Sequence, residues 1–209
     1  MTILWMSACS TMPARTPPPA TPTPRPPPAV VPVTPVAEPA PAFVVLAPAS
    51  YEQEKRRIRQ TLGKNDREAL AASEVGYYLD VLQGRLRQVA GRNVVVTRKG
   101  ERLVLDLSRQ VSFEPTGSQL GPGTRESMAA LNKVLVEYRN VLVSVRVSPV
   151  DAASLSNPRL AEQRALSLAR QFADAGVANK RIVVAGVPAK PGRASATRVE
   201  LQLEPIVRP

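Results

Sequence analysis

Three segments decide the fold: VLVSVRV at residues 141–147, PRLAEQRALSLARQFADA at 158–175 and RIVVA at 181–185. Val141 to Val147 alternates apolar and polar side chains, the period of a half-buried strand. Pro158 to Ala175 has helical spacing, with Asn157 or Ser156 as its cap and Pro158 near its first position. Arg181 to Ala185 is a second strand. Working outward, Val94-Val95-Val96-Thr97, a turn at Lys99-Gly100 and Leu103 to Leu107 read as a hairpin. Val111 and Phe113 begin another short strand, and Pro115, Gly117, Gly121 and Gly123 mark a loop. Pro122 to Tyr138 is an amphipathic helix carrying Met128, Leu131, Leu135 and Val136. Thr197 to Leu203 is the last strand, with Val199, Leu201 and Leu203 turned inward. This order predicts an α+β sandwich, βαβαββ, with two helices on one mixed sheet.

The sandwich occupies residues 91–209 and is preceded by N-terminal helices over 50–90. Tyr51 to Leu62 is charged and stops at Gly63, a plausible C-cap. Asn65 or Asp66 can cap a second helix. That helix carries Leu70, Val75, Tyr78, Leu79, Leu82, Leu86 and Val89 on one face and closes at Gly91. The apolar face must pack, either on the following domain or on another copy of itself.

Residues 11–49 are a Pro/Ala/Thr/Val segment that holds most of the chain's 22 prolines. Proline fixes φ and removes a donor, so a disordered, extended polyproline II tether is expected, neither helix nor sheet. At about 3.1 Å per residue, ~38 residues reach up to ~120 Å. Residues 1–10 read MTILWMSACS, an apolar stretch ending in Ser7-Ala8 and then Cys9. This is the pattern at the end of a lipoprotein signal, with Cys9 as the lipidated residue. A secretory signal needs a charged n-region and roughly 15–30 residues. The true start is therefore expected upstream.

Composition removes several chemistries. The chain has no histidine, so neither a Ser-His-Asp nor a Cys-His nucleophile can be assembled, and imidazole zinc sites are excluded. One cysteine permits neither an intrachain disulfide nor a thiolate cluster. No paired carboxylates suggest acid–base work. No catalysis, cofactor or metal is expected. The net charge of +11 is spread along the chain. Lys55-Arg56-Arg57 with Arg59 is the densest basic patch, and Glu52 and Glu54 interrupt it. Aromatic residues are too few for a stacking platform, so nucleic acid is not expected as a partner.

Several runs together resemble OmpA-like C-terminal domains, and within them the small outer-membrane lipoproteins associated with peptidoglycan. They are Gly76-Tyr77-Tyr78-Leu79-Asp80, Val94 to Gly100, Leu103 to Leu107, and Phe113, Ser118 and Leu120 ahead of a helix. Asn157-Pro158-Arg159-Leu160-Ala161-Glu162-Gln163-Arg164-Ala165 resembles the family pattern Asn-x-x-Leu-Ser-x-x-Arg-Ala. Gly176-Val177 with Arg181-Ile182, and Thr197-Arg198-Val199-Glu200-Leu201, complete a likeness over roughly residues 74–205. The chain is identified as a diverged member.

The resemblance implies non-covalent binding of the diaminopimelate side chain of peptidoglycan. A carboxylate takes its ammonium, and a guanidinium takes its carboxylate bidentately. Carried over, the peptidoglycan-binding residues are Asp151, Asn157, Arg164 and Arg198. Arg164 matches directly. Val147-Ser148-Pro149-Val150-Asp151 stands where the family has Gly-His-Thr-Asp, which places Asp151 one residue late. Ala196-Thr197 replaces a family Asn-Arg.

Two functional readings follow. In the first, the chain is a non-catalytic envelope lipoprotein on the periplasmic face of the outer membrane. It is anchored through lipid on Cys9 and tied to peptidoglycan through Asp151 and Arg164. In the second, the scaffold has lost cell-wall binding and mediates protein contacts in an envelope assembly. Convergence of Asp151 and Arg164 on one open cleft would favour the first.

Overall fold

A computed structural model describes residues 43–64, 69–148, 159–187 and 197–209. In chain order the elements are β1 (Val44–Val45), α1 (Tyr51–Gly63), α2 (Val75–Ala90), β2 (Val95–Lys99), β3 (Arg102–Asp106), α3 (Thr124–Glu137), β4 (Val141–Ser148), α4 (Leu160–Asp174), β5 (Ile182–Gly186) and β6 (Arg198–Pro205). The six strands form one mixed sheet in the order β1-β5-β4-β6-β3-β2. β4 pairs parallel with β5 and antiparallel with β6, and β3 pairs antiparallel with both β6 and β2. The α+β sandwich on a mixed sheet is as expected.

The layers differ from expectation. Alternation along β4 and β6 sends Val143, Val145, Val147, Val199, Leu201 and Leu203 to one face. There they share a core with Leu79, Leu82 and Leu86 of α2, Met128 and Leu135 of α3, and Leu168 and Phe172 of α4. Three helices, not two, cover this face, because the apolar stripe of α2 is part of the same core. Leu79, Leu82 and Leu86 are fully buried, and each stabilises the fold by roughly 1.5–3 kcal/mol. The opposite face is covered by α1. Tyr51, Ile58 and Leu62 pack there with Leu142, Val183 and Ala185.

Other departures have local causes. Val44 and Val45 pair with Val183 and Val184, so the last residues assigned to the tether extend the sheet edge. This stretch, Phe43 to Leu46, has no proline, and its amides are free to join a ladder. Leu70 lies outside α2. It bridges Val207, with its N–H on the Ile206 carbonyl at 2.8 Å and its carbonyl accepting from Arg208 N–H at 2.9 Å. Ala71 is extended, and the Glu74 carboxylate reaches back to accept its N–H at 2.8 Å, which delays the helix. Gly91, at φ 63°, ends α2 as expected. Val111 to Phe113 is not a strand; Phe113 makes a single bridge to Leu120. In the β2–β3 turn Gly100 has φ 60° and Glu101 does not share the positive φ, the type II′ pattern. Asn65, Asp66, Ser156 and Asn157, the expected caps, lie outside the described residues.

Candidate functional site

Arg164 sits just past the first turn of α4, beside Ala161, Ala165 and Leu168, all buried. It does not snorkel to solvent: it is only 2% exposed. A short loop surrounds it, closed by the Phe113–Leu120 bridge and by Glu114 N–H on the Gln119 carbonyl at 3.0 Å. That closure turns three carbonyls toward the guanidinium. Nε donates to Gly117 O at 3.0 Å, and Nη2 to Glu114 O and Pro115 O at 3.4 and 3.5 Å. Nη1 donates to Thr197 Oγ1 at 3.1 Å, and Cζ lies 5.3 Å from the centre of the Phe113 ring. A buried guanidinium is tolerable when its N–H groups are met this way. The arrangement fixes the plane of the cation. It also ties α4 to the 113–120 loop and to the start of β6.

The four residues assigned to peptidoglycan divide three ways. Arg164 is built in as described. Asp151 and Asn157 lie outside the described residues, as does the lipidation residue Cys9. Arg198 is not brought to Arg164. Strand alternation puts Thr197 and Val199 on the α4 side and Arg198 on the α1 side. There it lies 3.8 Å from Asp106, with its side chain 61% exposed. The register pairs it with Ser148. Thr197, read in the sequence as the start of the last strand and as a replacement for a family residue, lies just ahead of β6 and is the residue there that meets Arg164.

A second buried arginine is structural. Arg181 donates to Val141 O and Tyr138 O at 2.9 Å each and to Leu135 O at 3.4 Å. It thereby satisfies carbonyls at the end of α3.

The face under α1 holds a polar cluster that the sequence did not announce as a site. Lys55, fully buried, lies 2.5 Å from Glu204 and 3.1 Å from Glu52. Arg59 reaches Glu204 at 2.9 Å, and Arg102 lies 3.7 Å from it. Arg146 pairs with Glu200 at 3.4 Å, and Lys55 and Arg146 flank the Tyr51 ring at 4.8 and 5.1 Å. Burial pushes the Tyr51 hydroxyl up to about 12, against the pull of the Arg146 charge. One signal was available: Lys55 falls in line with Tyr51, Ile58 and Leu62 on the apolar stripe of α1, where a cation needs partners.

Among the described residues no group of three or more acidic, Cys or His side chains could hold a metal. None of the described helices is long and apolar enough to cross a membrane.

No protein-family model matches the chain. Over 144 residues it is 34% identical to the probable lipoprotein YiaD of Escherichia coli (strain K12), a match covering 63% of this chain. The chain spans about 65% of the length of that curated relative. Among solved structures it is similar to a MotB-like protein from Desulfovibrio vulgaris, with TM-score 0.55 and 19% identity. That similarity covers 64% of this chain and 94% of the other. The OmpA-like domain of FopA1 from Francisella tularensis subsp. tularensis SCHU S4 is similar at TM-score 0.40 and 18% identity, over 54% of this chain and 80% of that one. The fold is the OmpA-like one that the sequence resemblance implies.

Proposed function

We propose that this OmpA-like chain is a non-catalytic lipoprotein of the bacterial cell envelope that holds the outer membrane to peptidoglycan. In this reading Cys9 carries the lipid on the periplasmic face, the proline-rich segment spans the gap, and the folded domain takes the diaminopimelate side chain. The observation that carries it is Arg164. A guanidinium is buried and held in a fixed plane by a dedicated loop, at the family's ligand-binding position. The ligand's carboxylate would meet Arg164, and its ammonium would meet Asp151. The lipoprotein name of the Escherichia coli relative supports the anchor.

One observation favours the second reading, a scaffold devoted to protein contacts. Arg164 N–H groups already engage Gly117, Glu114, Pro115 and Thr197, and Arg198 faces the other side of the sheet. Co-sedimentation of the full chain with purified diaminopimelate-type peptidoglycan separates the two. Anchoring predicts retention that is lost in Asp151→Asn and in Arg164→Lys, with both variants folded by circular dichroism. Lysine keeps the charge but not the bidentate geometry. Absence of retention by the unaltered chain at low salt would assign it to protein contacts.

A further inference from the structure

Along β5, alternation turns Ile182, Val184 and Gly186 toward the helical face, and Val183 and Ala185 toward α1. Ile182 and Val184 fill the core beneath α4, with Ala165, Leu168, Ala169 and Phe172. At Gly186 no side chain stands between strand and helix, and α4 comes down onto the strand. A side-chain carbon at 186 would lie 2.8 Å from the Glu162 nitrogen and 3.0 Å from its Cα and Cβ. Strand backbone and helix backbone therefore meet directly at the first turn of α4.

The strand end is held in place from its other edge. The register pairs Gly186 with Val147, and the Val187 N–H donates to the Val147 carbonyl at 3.0 Å. A side chain at 186 must therefore lift the helix. Ordinary carbon contacts sit at about 3.5–4.0 Å, so a methyl there raises the turn by roughly 0.5–1 Å. Glu162 lies two residues ahead of Arg164. Carried to Arg164, that rise stretches its hydrogen bonds to Gly117 O and Thr197 Oγ1, now 3.0 and 3.1 Å. Both would pass the usual limit of about 3.2 Å.

We propose that Gly186 is a positioning residue for Arg164. Its missing side chain sets the depth of α4 over the sheet, and that depth brings the guanidinium to the carbonyls of 114, 115 and 117. The consequence for cell-wall binding rests on the anchoring reading; the effect on Arg164 does not.

The test compares Gly186→Ala, Thr197→Val and Gly84→Ala in the full ¹⁵N-labelled chain. Thr197→Val removes the hydroxyl that Nη1 meets and marks how the Arg164 Nε–Hε resonance responds to a lost partner. Gly84 is exposed on α2 and a methyl there meets nothing within 4 Å, so Gly84→Ala is the neutral control. The expected result is an Arg164 resonance that moves in Gly186→Ala, as in Thr197→Val, and stays in place in Gly84→Ala. Co-sedimentation with diaminopimelate-type peptidoglycan should weaken about tenfold in Gly186→Ala, the loss of one hydrogen bond to a charged group. An unmoved resonance in folded Gly186→Ala would overturn the proposal even if urea unfolding shows lost stability. A glycine needed only for packing lowers the midpoint without disturbing Arg164. Failure of Gly186→Ala to fold would also overturn it, by assigning the glycine to the fold. A moved resonance with full retention would overturn the role in binding. If the unaltered chain is not retained, the anchoring reading fails, and the resonance alone decides the role of Gly186.

Discussion

On the face covered by α2, α3 and α4, β4 and β6 present Val143, Val145, Val147, Val199, Leu201 and Leu203 to aliphatic helix stripes. On the face beneath α1 the same two strands present Ser144, Arg146, Glu200, Gln202 and Glu204. Glu204 meets Lys55, Arg59 and Arg102, Gln202 accepts from Lys55, and Arg146 pairs with Glu200. One set of strands thus builds two interiors by alternation. The first is held by area removed from water, which is non-directional. The second joins a smaller apolar cluster, Tyr51, Ile58 and Leu62 against Leu142, Val183 and Ala185, to charges whose desolvation must be offset by well-placed partners. The aliphatic face tolerates approximate shape, whereas the polar face depends on particular pairs.

This difference can be broken from either side. The largest effect belongs to the aliphatic face. Leu82→Ala removes a fully buried side chain at the centre of α2 and is expected to cost about 3–4 kcal/mol. Urea unfolding should show a lower midpoint with the slope unchanged.

Next comes Lys55→Met. Glu204 keeps Arg59 at 2.9 Å and Arg102 at 3.7 Å, so the loss should fall at the low end for a broken buried pair, about 2–3 kcal/mol. Adding Glu204→Gln should recover part of it in a double-mutant cycle. If Lys55→Met proves neutral, the cluster is a solvated surface and the contrast between the faces fails.

Third is pH. The Tyr51 hydroxyl titrates near 10 when unfolded and is held up to about 12 by burial. Below pH 10 both states keep the proton and nothing changes. Between pH 10 and 12 the unfolded chain releases it while the folded chain retains it. Stability therefore falls as pH rises, by on the order of 2 kcal/mol. Tyr78 is held up to about 12 by the same cause and adds to the fall. Tyr51→Phe should flatten the decline measured by chemical unfolding across that window.

The smallest effect is Arg198→Ala. Its ion pair with Asp106 is long and solvent-exposed, so a change under about 0.5 kcal/mol is expected. Retention on peptidoglycan should be unchanged, because the side chain lies on the face away from Arg164. Lost retention would bring Arg198 back into the site.

Much of the fold was legible because secondary-structure period is a local property. The spacing of Leu79, Leu82 and Leu86, the alternation of Val141 to Val147 and the glycines at 91 and 100 each report the conformation of their own segment. The strand at Val44-Val45 was hidden by proline-rich neighbours, and two residues are too short for a period to register. Of the candidate site, Arg164 was legible through its helix position and the family pattern, but its exposure was not. Nothing near Arg164 in the chain indicates that carbonyls of 114, 115 and 117 will close around it.

The sequence by itself determined the elements, their order, the α+β class and the singular position of Arg164 on an otherwise apolar helix edge. Tertiary structure alone decided which layer α1 covers, that Lys55 meets Glu204, and that Arg164 and Arg198 lie on opposite faces. The physical reason is range. Periodicity and capping act over a few residues, whereas these pairings join positions tens to more than a hundred residues apart. Their geometry exists only once the sheet has fixed its register and the helices have chosen their faces.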